Sequence, residues 1–216
     1  MAKRLARYGA AARVLHYFNL LAFIIFFYTG AALLFSDSLA TIIGGSDVSR
    51  MLHRIAAVIV IIGPLIGIII RFGSFKEFVK DTFTWQKGDT KWVLRFFIWL
   101  FRPSMEMPHT KTKDSAGQRM IAWILIGGAL WQVMTGVILL YRNAFSKNVV
   151  LMATTMHDVG FFVLIVALMG HIYVGLGLFK PYRGIVRAMF GDGTVDEKLA
   201  KRLWPDWAKK AETGDK

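Results

Sequence analysis

The sequence predicts an all-α integral membrane protein, a four-helix bundle with both termini in the cytoplasm. Three observations predict it. Apolar residues make up 55% of the 216, and they are gathered into four long runs, the signature of a polytopic membrane protein rather than of a soluble core. Each run is near or above the roughly 20 residues needed to cross the hydrocarbon. Lysine and arginine crowd the two ends and the middle connection, and an even number of spans puts those three segments on one side.

The first span is expected at 12–35, with its apolar run from Val14 to Phe35 behind a basic flank of Lys3, Arg4, Arg7 and Arg13. That flank imitates a signal peptide, but the run exceeds the usual 7–15 apolar residues, so it reads as a retained helix. The second span is expected at 50–72. Ser46 or Ser49 in "SDVSRMLHR" is expected to cap it, and Pro64 to kink it without ending it. The segment 73–117 is too long for a simple turn. Its stretch "SFKEFVKDTFTWQKGDTKWVLRFFIWLFRPS" interleaves aromatics with lysines and reads as an amphipathic helix lying on the cytoplasmic membrane surface. The third span is expected at 118–141 and the fourth at 149–179. The tail, 180–216, contains "DEKLAKRLWPDWAKKAE", a short polar helical segment better suited to docking than to catalysis.

The loops fix the orientation. The connection from Arg71 to Arg119 carries ten lysines or arginines and the tail carries nine. The first loop offers only Arg50, with Arg54 at the helix start, and the third offers Arg142 and Lys147. Basic residues stay inside. The net charge of +13 is therefore assigned to cytoplasmic loops facing membrane lipid, and not to nucleic-acid binding.

Cysteine is absent, which excludes thiolate metal sites, covalent haem attachment and cysteine-ligated clusters in this chain. If the chain handles electrons, it must hold its cofactor by histidine or receive electrons from a partner. Of five histidines, four lie within or at the ends of spans: His16, His53, His157 and His171. His157 and His171 are fourteen residues apart, a rise of about 21 Å and nearly four full turns. They share a face, one in each leaflet. With the orientation above, His53 and His157 fall at outer depth, and His16 and His171 at inner depth. The third span has no histidine.

Two imidazoles at one depth on different helices are what a six-coordinate haem b requires, and full axial ligation favours electron transfer over oxygen chemistry. The pattern predicts two haems b, an outer one on His53 and His157 and an inner one on His16 and His171. Gly63, Gly67, Gly160 and Gly170 would let a flat macrocycle approach the backbone, although glycine in membrane helices also serves plain packing. Arg54 and Arg71 are candidates for the propionates. His109 lies outside the pattern and reads as a surface or quinone-side residue. Two other classes compete: a haem-free anchor whose histidines only pack, and a proton-coupled transporter. The second is disfavoured by the lack of visible inverted repeats and by Asp158 being the only acidic residue inside a span.

The four-helix layout, "MHDVGFFVLIVALMGHIY" in the fourth span, "LHRIAA" opening the second, "DSAGQRMIAW" before the third, and "RGIVRAMFGDG" followed by Trp-Pro-x-Trp together resemble the cytochrome b (gamma) subunit of respiratory formate dehydrogenase. The resemblance covers nearly the whole chain. It implies that the four matching histidines ligate two haems b. It also implies an iron–sulfur subunit and a catalytic formate dehydrogenase large subunit as partners, and allows a higher oligomer of the complex. Electrons would enter from the periplasmic side of a bacterial inner membrane and reduce a quinone, menaquinone or ubiquinone, near the cytoplasmic face. The chain would reduce quinone without itself oxidising formate, so it carries no formate-site catalytic residue. The family's quinone loop reads Asn-Ala-Gly-Gln. Here Ser115-Ala116-Gly117-Gln118 stands in its place, so Ser115, Gly117, Gln118 and His171 are the quinone candidates, with Asp114 available for proton delivery. The same Ser115 and Gln118 fit a helix capping box. The nearest alternative function is the cytochrome b of a nickel–iron hydrogenase or thiosulfate reductase.

Overall fold

The computed structural model describes residues 3–35, 37–102, 104–105, 110, 114–178 and 180–213. In chain order these form β1 (Arg4–Ala6), α1 (Ala10–Phe35), α2 (Asp37–Ile42), α3 (Ser46–Ile70), α4 (Phe72–Phe83), α5 (Asp89–Phe101), α6 (Ala116–Leu140), α7 (Lys147–Gly175), α8 (Arg187–Phe190), β2 (Thr194–Asp196), α9 (Glu197–Leu203) and α10 (Pro205–Thr213). α1, α3, α6 and α7 are long and apolar enough to span a membrane. They are the four expected spans. α7 starts two residues before the expected bound and ends at Gly175 rather than 179.

The chain divides into two compact units. One comprises Val14–Gly73 and Leu125–Leu168. Its helices are organised as membrane helices are, with small residues inside and large apolar ones outside. The buried positions are Ala22, Thr29 and Ala32 on α1, Ser49 and Ala56 on α3, Thr135 on α6, and Ala153, Gly160 and Ala167 on α7. Ile69 and Val166 face outward, 79% and 70% exposed, as suits helices whose surrounding solvent is lipid. α3 runs unbroken through Pro64.

The cap of α3 differs from expectation. Neither Ser46 nor Ser49 caps it. Gly45 holds the N-cap position at φ 99° with no side-chain cap bond, a left-handed backbone that favours glycine. Ser49 Oγ instead donates back to the Gly45 carbonyl at 3.0 Å.

The other unit comprises Met1–Arg13, Ser74–Ile124 and Met169–Lys216. Within it the expected single surface helix is two, α4 and α5, broken at 84–88 where Gly88 turns at φ 106°. Asp89 then opens α5 and accepts from the Gln86 backbone N–H at 2.6 Å. Trp123 Nε1 on α6 donates to the Thr82 carbonyl at 2.7 Å, and Arg119 pairs with Asp89 at 2.5 Å, their side chains 2% and 10% exposed. The tail is more than a polar appendage. β2 pairs antiparallel with β1, Leu5 opposite Val195, and Leu5, Tyr182, Val195, Ala200, Leu203, Trp204 and Ala208 form one buried cluster. The Arg7 guanidinium lies 3.6 Å from the Trp204 ring centre and reaches Asp114 at 3.3 Å. His109 lies outside the described residues.

Candidate functional site

His53 on α3 and His157 on α7 face each other with ring centres 6.1 Å apart and planes at 57°. A metal bound by one nitrogen of each ring would need ring centres about 6 Å apart, from two metal–imidazole bonds of about 2 Å and roughly 1.1 Å from each nitrogen to its ring centre. The observed separation matches. Ring planes are free to rotate about such an axis, so the 57° angle is compatible with it.

Each ring is held from behind. Thr29 Oγ1 on α1 lies 2.8 Å from His53 Nδ1, and Thr135 Oγ1 on α6 lies 2.8 Å from His157 Nδ1. Both nitrogens used are Nδ1, so Nε2 is left for a metal on each ring. All four spans therefore converge on one histidine pair. Phe26 packs edge-on against His53 at 5.0 Å. Gln132 Nε2 donates to the His157 carbonyl at 3.0 Å, and Trp131 Nε1 to the Met156 carbonyl at 3.1 Å, locking α7 to α6 at this level. Among the described residues no group of three or more His, Cys, Asp or Glu is arranged to hold a bare metal ion. The donor set of two facing imidazoles suits a metal whose other ligands come from a macrocycle, as in haem.

A family model described as prokaryotic cytochrome b561 matches residues 7–192. The chain belongs to that family. It is also similar to the formate dehydrogenase, cytochrome b556 subunit of Haemophilus influenzae (strain Rd), 26% identical over 211 residues, with 94% of this chain and 82% of that protein covered. Four apolar helices and membership of this cytochrome b family make it a multi-pass membrane protein.

The remaining candidate residues of this cytochrome b561 member are placed as follows. His16 is half-buried on α1, with Tyr17 edge-on at 6.4 Å. His171 is half-buried on α7, one residue after Gly170. Arg54 is exposed on α3, immediately after His53, and Arg71 is exposed at its C-cap. Seventeen residues separate them, about 25 Å along the helix, so they cannot serve one haem. Gly160 is filled by its neighbours, since a Cβ there would meet Trp131 at 3.1 Å and Gln132 at 3.2 Å. Around Gly63 and Gly67 a Cβ would meet nothing within 4 Å.

Ser115 and Gln118 form the reciprocal capping box of α6. The Gln118 N–H donates to Ser115 Oγ at 3.2 Å, and the Ser115 N–H to Gln118 Oε1 at 2.9 Å. Gln118 Oε1 also accepts from Trp204 Nε1 at 3.3 Å. Both residues line a small cavity with Trp92, Tyr182 and Trp204. Gly117 has its own packing reason, because a Cβ there would sit 2.9 Å from the Trp92 ring. Asp114 holds Arg7, as above, and its carbonyl accepts from Arg119 at 2.7 Å.

Sequence reasoning missed Thr29 and Thr135. Threonine inside a helix carries little signal, because its hydroxyl commonly bonds back to the preceding turn. Only the identity of the facing helix shows what else it touches.

Proposed function

We propose that this chain is the di-haem cytochrome b subunit of a formate dehydrogenase-type respiratory complex in a bacterial inner membrane. The reading rests on one observation above all: His53 and His157 oppose each other at bis-histidine spacing, with both Nδ1 atoms engaged, in a chain of the prokaryotic cytochrome b561 family. His53 and His157 would hold the outer haem b. His16 and His171 are assigned the inner one by the sequence spacing and the charge bias of the loops. Bound haem supplies a one-electron centre on each side of the bilayer midplane.

The chain's own residues do the rest. The spans exclude water from the paired imidazoles and set their facing distance. Arg54, at outer depth, and Arg71, at inner depth, are candidates to neutralise propionates of different haems. A quinone is assigned to the cytoplasmic side, beside His171, Ser115, Gly117 and Gln118. There Ser115 Oγ would hydrogen-bond a quinone carbonyl, and Asp114, adjacent in sequence, would take part in proton delivery. Both termini and the segment bearing α4 and α5 are cytoplasmic in this reading. Partners in this reading are an iron–sulfur subunit at the outer face and a catalytic large subunit, supported by the similarity to the formate dehydrogenase, cytochrome b556 subunit of Haemophilus influenzae.

The test is to purify the complex from membranes, identify the co-purifying large subunit and assay quinone reduction. Formate-dependent quinone reduction with proton uptake from the cytoplasmic side is expected. A hydrogenase or thiosulfate reductase large subunit in its place would contradict the assignment of partner, and periplasmic proton uptake would contradict the quinone placement.

A further inference from the structure

We propose that Thr29 and Thr135 are positioning residues that fix which nitrogen of His53 and of His157 carries the proton, and so set the donor strength of both rings toward a metal. The argument rests on proton counting. Thr29 Oγ1 donates to the Ile25 carbonyl at 2.7 Å, and Thr135 Oγ1 to the Trp131 carbonyl at 2.9 Å. A hydroxyl has one hydrogen to give and two lone pairs to receive. With that hydrogen committed to a carbonyl of the preceding turn, the 2.8 Å contact to imidazole makes the hydroxyl an acceptor. Nδ1 must then carry the hydrogen. A neutral imidazole protonated at Nδ1 presents its lone pair at Nε2, the form a metal binds.

The opposite tautomer is disfavoured on both sides. It would need the hydroxyl to turn from its carbonyl and donate to Nδ1, leaving Nε2 protonated and unable to ligate. Threonine suits this task better than serine in one respect, because its β-branch restricts χ1 and keeps Oγ1 against the preceding turn. Burial adds to the effect: Thr29 is 1% exposed and Thr135 6%, so water does not compete for either hydroxyl. The arrangement occurs twice, on two different helices, with the same three atoms in the same roles.

The hydroxyl also sets a strength. Outer partners of a ligating histidine raise its basicity, and a carboxylate does so more than a neutral group. A neutral hydroxyl acceptor keeps each ring a neutral imidazole with moderate donation. Losing it should weaken donation to the ferric state and shift the midpoint potential upward.

This inference rests on the reading that His53 and His157 share a haem, and the test separates the two. Thr29→Val, Thr135→Val and the matching serine variants are made in the full chain and purified with its complex. Redox titration followed in the α-band and haem transfer to apomyoglobin are then measured. In each valine variant one haem should move to higher potential and leave about 10–100-fold faster, and serine should restore both values. The second haem, unchanged, reports that the fold is intact. Because the threonines lie on different helices, a folding failure at one leaves the other to decide. Valine variants whose haem potential and loss rate match the unsubstituted protein would overturn the inference. A His157→Ala variant with undiminished haem would instead remove the reading beneath it.

Discussion

Breaking the buried ion pair between Asp89 and Arg119 should loosen the whole α4–α5 segment from the start of α6. At 2.5 Å and an effective dielectric near 20, the gross attraction is about 6–7 kcal/mol, much of it offset by desolvation. Removing one partner of such a pair costs about 3–5 kcal/mol, because the other charge stays buried. The two single variants should differ. Without Arg119, Asp89 keeps the Gln86 N–H, so Arg119→Met falls near the lower end. Without the Asp89 charge, the Arg119 guanidinium stays buried beside the neutral Asp114 carbonyl, so Asp89→Leu falls near the upper end. The double variant Asp89→Leu/Arg119→Met leaves no stranded charge and should recover most of the loss. Thermal unfolding in detergent reads this as a fall of roughly 6–20 °C for the singles, at about 2–4 °C per kcal/mol. Limited proteolysis at 84–88 should rise in parallel. Single variants costing under about 1 kcal/mol, or a double no better than the worse single, would refute the reasoning.

Two further outcomes test other parts of the molecule. Ser115→Ala should destabilise by about 0.5–2 kcal/mol through loss of the cap; under the quinone assignment it also raises the quinone KM, whereas an unchanged KM would leave Ser115 a cap alone. Burial pushes the Tyr182 phenol well above its usual 10.0, so the folded state retains a proton that the unfolded chain releases. Stability from this group is full below pH about 10 and falls as pH rises further. Tyr182→Phe should flatten that alkaline slope in a pH series of thermal melts, and an unchanged slope would contradict it.

The spans were legible because length and apolar content leave a membrane helix few alternatives. The facing of His53 and His157 was legible because a fourteen-residue interval fixes depth, and loop charge fixes direction. The Ser115–Gln118 box was legible as a local spacing, and the structure gives both halves of it. Other features depended on distant partners. The β1–β2 pairing joins three-residue strands from opposite ends of the chain, too short for any alternation to register. The break between α4 and α5 was hidden by aromatics that continue on both sides of Gly88. Gly45 took the cap from two serines because the positive-φ turn before α3 requires glycine, whatever hydroxyls follow. The third span has no histidine, yet it provides Thr135.

The central claim is that His53 and His157 hold one and the same haem. Haem per chain, measured as the pyridine haemochrome together with reduced-minus-oxidised spectra, tests it in His53→Ala, His157→Ala and the double variant. The account predicts that each single loses one haem, that the spectral component lost is identical, and that the double loses nothing more. Singles that keep their full haem content, or a double that loses twice what either single does, would contradict it.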